Sequence, residues 1–224
     1  MRIWDINPGY LDRKRLLGEH RELHGLFNII TLNKKGYSHH PETLRWVGHL
    51  HALCQRHRLL VSEMELRGYN HHSPLPDSDA DIVWPTDRID PPLAQLEILA
   101  GKQRNEDSAR IPLPLNTQHL WAQHKYSIMA RDPALYQRIG PEVAHGTYQE
   151  DMAGLAELLV AELRQPPLPG RLHNAMEHMW GYVSDAGSPK PEDSMQLMRT
   201  IRRLAVERRQ RYLLESTALS ELCV

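Results

Sequence analysis

The chain has 224 residues, 41% apolar and 6% aromatic with a single Phe, which supports one or two aliphatic cores and argues against a β-sandwich. Its two cysteines, Cys54 and Cys223, exclude a disulfide framework and a cysteine-based zinc site. No apolar run approaches the roughly 18 residues of a membrane span and no signal-type segment is evident, so a soluble cytoplasmic protein without a membrane partner is expected.

Leu11, Leu16, Leu17, Leu23, Leu26, Phe27 and Ile30 recur near helical spacing and predict a first helix over 8–30. Asn33 to Pro41 has the Gly and Pro punctuation of a loop. Thr43 to Arg67 predicts a second helix, with Gly68 where a helix C-terminus favours it. The Pro- and Asp-rich stretch after it reads as irregular, and a short helix follows from Pro92 to about Arg104. Asn105 to Asn116, polar and then proline-punctuated, reads as a linker. Helices are expected over 116–131, 133–144, 147–164 and 171–184, then a long last one from Pro191 to Ser216. No strand alternation stands out. The expected fold is mainly α, two small helical domains over 1–108 and 113–224 joined by the Pro-rich linker.

The net charge of −1 conceals a segregation. Residues 1–72 carry 11 Lys and Arg against 7 Asp and Glu, with nine of the 14 histidines, whereas 73–110 carry 4 against 8. A phosphate-facing surface near the N-terminus and a plain solvated surface both fit this pattern.

An α-amine has a reference pKa of about 7.7–8.0, against about 10.4 for lysine, so a useful fraction is nucleophilic near neutrality. Such an amine can attack C1′ of a damaged nucleotide and form an imine, while a neighbouring carboxylate moves protons and stabilises charge on the sugar. Bulky Arg2 is expected to keep Met1 in place, and Glu19 and Glu22 lie three apart with Arg21 between them. By themselves these residues describe a solvated helix face rather than a catalytic site.

"GEHRELHGLF" and "RHRLLVSEMELRGYN" (Arg56 to Asn70) together resemble the pyrimidine-dimer DNA glycosylase family of the endonuclease V type. The resemblance covers about residues 1–72. It implies a compact helical repair enzyme whose nucleophile is the N-terminal amine and whose partner is a glutamate in a "YREL"-like motif. Glu22 matches that glutamate, and counting back places the amine on Met1; Arg21 and Arg2 match basic residues of the motif and the terminus. A second arginine, which binds the lesion in the phage enzyme, falls at Gly25, and no counterpart of the phage protein's aromatic tail precedes residue 110. The implied function is a glycosylase and abasic-site lyase on damaged, including ultraviolet-damaged, DNA, acting without a cofactor. The nucleic-acid-binding residues assigned in this half are Arg2, Arg21, Lys34 and Lys35. The alternative is a non-catalytic nucleic-acid-binding protein, or one acting on modified pyrimidines in RNA.

His20 and His24 sit four apart, His39–His40 and His71–His72 are adjacent pairs, and His49 and His51 flank one residue. With no HExxH sequence and no carboxylate at motif spacing, no metal site is assigned, and most of these histidines read as surface or phosphate contacts.

"LWAQHKYSIMARDPALYQRIGPEVA" and "LPGRLHNAMEHMWGYV" resemble the YbgA-like domain of unknown function over about residues 113–215. His124, Lys125 and Tyr126 cannot share one helix face, so at least one must pack inward. Arg171, His173, Asn174 and His178 gather at and just inside a predicted helix start, where backbone N–H groups favour anions. With Lys125 they form either a phosphate pocket or a buried polar network, and Lys125, Arg171 and His173 are the nucleic-acid-binding residues assigned here. Arg199, Arg202, Arg203 and Arg209 read as a solvated face of the last helix or as a backbone contact.

Overall fold

The computed structural model describes residues 1–76, 81–102, 109–185 and 187–223. Part of the acidic connector and the polar start of the expected linker, residues 105–108, lie outside the described residues. Among the described residues there are eleven α-helices and no strand. None of the helices is long and apolar enough to cross a membrane. The chain divides into two compact units, Met1–Ala109 and Arg110–Cys223.

In the first unit the chain enters extended, makes a 3-10 turn at Pro8–Tyr10, and is then capped by Asp12, whose side chain accepts from the Arg15 N–H at 2.8 Å. Helix α1 follows over Arg13–Thr31, so the first expected helix begins later, behind its own cap. Leu16, Glu19, Leu23 and Leu26 are its buried residues.

Residues 43–67 are two helices rather than one. Helix α2 (Pro41–Trp46) stops at Val47, Gly48 takes a φ of +85°, and α3 (Leu50–Leu66) starts anew. A left-handed residue cannot continue a helix, and glycine is the residue for which that conformation costs least. Gly68, at φ +80°, closes α3 as its position predicted. Helix α4 (Pro92–Ala100) completes the unit. Its core contains Ile3, Ile6, Tyr10, Leu11, Leu16, Leu23, Trp46, Leu53, Leu60 and Leu99.

Residues 2–6 have no strand partner, yet side chains from all four helices hold their backbone. Glu22 and Glu19 of α1 accept from Arg2 N–H at 2.6 Å and Trp4 N–H at 3.0 Å. Gln95 of α4 accepts from Asp5 N–H at 2.8 Å. Arg45 of α2 donates to Ile3 C=O at 3.4 Å, and Arg56 of α3 to Ile6 C=O at 2.8 Å. Burying Ile3, Trp4 and Ile6 also buries their peptide groups, and these contacts offset the loss of water.

In the second unit, α5 (Thr117–Met129) packs against α6 (Pro133–Ala144), α7 (Met152–Leu163), α8 (Pro169–Trp180) and α11 (Ala218–Glu221). Side-chain caps by Asn116, Asp132, Asp151 and Asp193 start α5, α6, α7 and α9 (Ser194–Glu207). The long last helix is interrupted: Arg209 adopts φ +50°, and a separate α10 spans Arg211–Leu214. Arg110–Asn116, read as linker, belongs to this unit's fold. Ile111 is fully buried, Arg110 donates to Ser216 C=O at 3.1 Å, and Gln123 to Pro112 C=O at 2.8 Å.

Candidate active site and histidine cluster

The clamped N-terminal segment delivers the Met1 amine to 4.0 Å from Glu22 Oε1, while the other oxygen of Glu22 takes the Arg2 N–H. Glu22 is 43% exposed at its side chain, so the pair lies at the surface. Glu19, three residues earlier, faces inward. Arg56 donates to both its oxygens, at 2.8 and 2.9 Å, with each side chain nearly wholly buried. Burial pushes the Glu19 carboxyl upward, and the Arg56 guanidinium opposes this. Of the two glutamates singled out in the sequence, only Glu22 is available to a reacting molecule. Glu19 positions the backbone that carries the amine.

Arg2 donates to Asp90 at 2.5 Å and lies 4.8 Å over the Trp4 ring, with its side chain 31% exposed. Arg21 is exposed on the turn beside Glu22. Lys34 and Lys35 are exposed in the turn beyond α1, which carries nine further residues after Glu22, about 14 Å of helix. The structure therefore brings Met1, Arg2 and Glu22 together, leaves Arg21 exposed about 100° round α1 from Glu22, and leaves the two lysines beyond the far end of the same helix.

His20 and His24 of α1 meet His57 of α3 and His71 beyond it. One ring nitrogen from each lies within 4.8 Å of the other three. His20 Nε2 is 3.1 Å from His71 Nε2, and His24 Nε2 is 3.2 Å from His57 Nε2. Burial, then the neighbouring imidazoles, push His57 down to about 3 and His20 to about 4. His57 is 3% exposed, which no surface or phosphate-contact reading accommodates. Glu22 is two residues from both His20 and His24, which at 3.6 residues per turn puts it about 160° round α1 from each. The amine site and the histidine cluster occupy opposite flanks of one helix. In the sequence, the four-residue spacing of His20 and His24 and the adjacent His71–His72 pair stood out, whereas His57 carried no such signal.

In the second unit His124 is the inward member of its triplet, its Nδ1 2.9 Å from Leu120 C=O, and burial pushes it down to about 4. Tyr126 is buried as well. The Lys125 ammonium sits 5.0 Å from the Tyr126 ring and 4.9 Å from that of Tyr212, which stacks on Tyr182. Arg171 is exposed in the first turn of α8. His173 Nδ1 lies 3.3 Å from Ser194 Oγ, and its Nε2 lies 3.7 Å from Glu177, which also pairs with Lys190. Among the described residues, no contact joins Lys125 to Arg171 or His173.

No curated protein and no solved structure matches the chain. Two family models do, each over one of the compact units. Residues 1–77, which hold the amine, Glu22 and the histidine cluster, match pyrimidine dimer DNA glycosylase, and residues 125–210 match a protein of unknown function (DUF1722).

Proposed function

We propose that the first unit is a DNA glycosylase and abasic-site lyase acting on damaged pyrimidines in DNA. The observation that carries the reading is the placement of an α-amine 4.0 Å from the exposed carboxylate of Glu22, within the region that matches the glycosylase family. The amine attacks C1′ of the damaged nucleotide, and the base departs with the C1′–N bond pair. Loss of the amine proton and opening of the sugar give an imine. Removal of a C2′ proton then expels the 3′ phosphate by β-elimination. Glu22 serves as the base and acid for these transfers. Arg2 and Arg21 bind phosphates beside the reacting sugar, and Lys34 and Lys35 bind the backbone further along the duplex. The target nucleotide must leave the stack, at a cost of about a few kcal/mol. Water then hydrolyses the remaining imine, returning the free amine and releasing the unsaturated sugar as its aldehyde, and the cycle needs no cofactor. Lys125, Arg171 and His173 of the second unit supply further, separate contacts to nucleic acid.

The test compares free and N-terminally acetylated full-length protein on an abasic oligonucleotide, with borohydride to trap an imine. Free protein should give a covalent adduct and strand scission; acetylated protein should bind and give neither. Equal trapping by both would remove Met1 from the mechanism, and no trapping by either would leave a binding protein.

A further inference from the structure

We propose that His20, His24, His57 and His71 form a tetrahedral site for a divalent transition-metal ion, with zinc the ion that suits it best. The inference rests on the four imidazoles alone and is independent of the glycosylase reading. A neutral imidazole has one N–H and one lone pair, so Nε2 atoms facing each other as pairs can share at most one proton per pair. Each of the two close pairs, at 3.1 and 3.2 Å, can be satisfied in that way, and the Ser73 hydroxyl lies 3.3 Å from His71 Nε2, but the two pairs then have no proton to exchange with each other. A cation accepting all four lone pairs satisfies every nitrogen together.

The dimensions agree with this. Metal–nitrogen bonds of about 2.0–2.1 Å put tetrahedral ligand atoms about 3.3–3.4 Å apart and the ring centres about 5.2 Å apart. The two close Nε2 pairs stand at 3.1 and 3.2 Å, and five ring pairs have centroids 4.7–5.1 Å apart. The widest separation, within 4.8 Å, must close by up to about 1.4 Å, shared between two side chains, to reach the ligand spacing expected of such bonds.

The donor set selects the ion. Among the described residues the donor set is four imidazoles and no carboxylate, which disfavours magnesium and calcium, with their oxygen ligands, and suits zinc, copper, nickel or iron. A tetrahedral arrangement disfavours tetragonal copper(II) and nickel(II). With all four positions filled by protein the site is closed, which is the form of a structural rather than a catalytic centre. It would tie two positions of α1 to α3 and to the segment after α3, fixing the rotation of the helix whose opposite flank carries Glu22.

The experiment uses full-length protein with a histidine-free tag at the C-terminus. Elemental analysis of protein purified without chelator should find one zinc per chain. Protein stripped with chelator and titrated with cobalt(II) should develop a tetrahedral visible spectrum saturating at one ion per chain, which zinc then bleaches. His20→Ala and His71→Ala should each abolish that spectrum, whereas His49→Ala and His72→Ala, outside the cluster, should keep it. Added zinc should raise the melting temperature of stripped wild type but not of His71→Ala. Failure of folded, stripped wild type to bind cobalt, an octahedral spectrum, or an undiminished spectrum in folded His20→Ala and His71→Ala would each overturn the proposal. The wild-type titration decides the matter even where a variant fails to fold.

Discussion

Replacing Arg56 by leucine tests how the N-terminal segment is held. The guanidinium makes three buried hydrogen bonds, two to Glu19 and one to Ile6 C=O. Removing one partner of a buried ion pair costs about 3–5 kcal/mol, because the remaining charge has neither water nor a counter-ion. For a unit of this size each kcal/mol lowers the melting temperature by about 4–8 °C, so Arg56→Leu should lose at least about 12 °C. Glu19→Leu alone strands the guanidinium and should cost a similar amount. The double variant carries no stranded charge. Its residual cost is the unpaired Trp4 N–H and Ile6 C=O, about 1–3 kcal/mol each, so it should be markedly more stable than the sum of the single losses predicts. Urea unfolding followed by circular dichroism supplies the cycle, read from the transition that the single variants move. Imine trapping gives a second readout: the double variant should trap more slowly than wild type, because Trp4 and Ile6 no longer anchor the segment that carries the amine. Single-variant losses that simply add would show that Glu19 and Arg56 are not energetically paired, and the account of the clamp would fail.

Glu22→Gln should keep DNA affinity while slowing strand scission about 10²–10⁴-fold, since the amide preserves an acceptor for Arg2 N–H but cannot transfer the proton; single-turnover cleavage measures it. A Cβ added at Gly25 meets nothing within 4 Å, so Gly25→Arg should fold, gain up to about 1 kcal/mol of helix stability, and tighten binding to dimer-containing duplex relative to undamaged duplex. Equal tightening on both duplexes would show a phosphate contact only. His124 is neutral in the fold and held down to about 4, so the unfolded chain takes up its proton first as pH falls. Its contribution is therefore present above about pH 6.5 and is lost towards about pH 4, to a total on the order of 3 kcal/mol. His124→Gln should flatten that part of the pH–stability curve measured by urea unfolding, and an unchanged slope would refute the assignment.

Local chemistry was readable where one residue decides the outcome. Gly68 ends α3, and Pro133 opens α6 behind the Asp132 cap, as their types demand. The interruptions at Gly48 and Arg209 were not readable in the same way, because apolar spacing runs through both and only a left-handed φ marks the break. Counting from Glu22 assigned the amine to Met1, but the burial of Glu19 depends on Arg56, 37 residues away, which helical periodicity cannot pair with it. Arg110–Asn116 has the composition of a linker, yet the burial of Ile111 is decided by helices formed much later in the chain. The histidine cluster likewise requires α1, α3 and the residues after α3 to be packed before its four members become neighbours.

The clamp on residues 2–6 also has a consequence for the order of assembly. Two anchors of the segment that carries the amine, Asp90 and Gln95, come from 88 and 90 residues further on than the groups they hold. Closing such contacts waits on the intervening chain, and domains emerge from the N-terminus at about 5–20 residues per second. The amine therefore spends several seconds outside the ribosome before α4 exists to seat it. A nascent or truncated chain ending short of Asp90 would carry the amine and Glu22 without these two anchors, so on the reading proposed above the full clamp that serves repair arrives with α4 rather than with the motif.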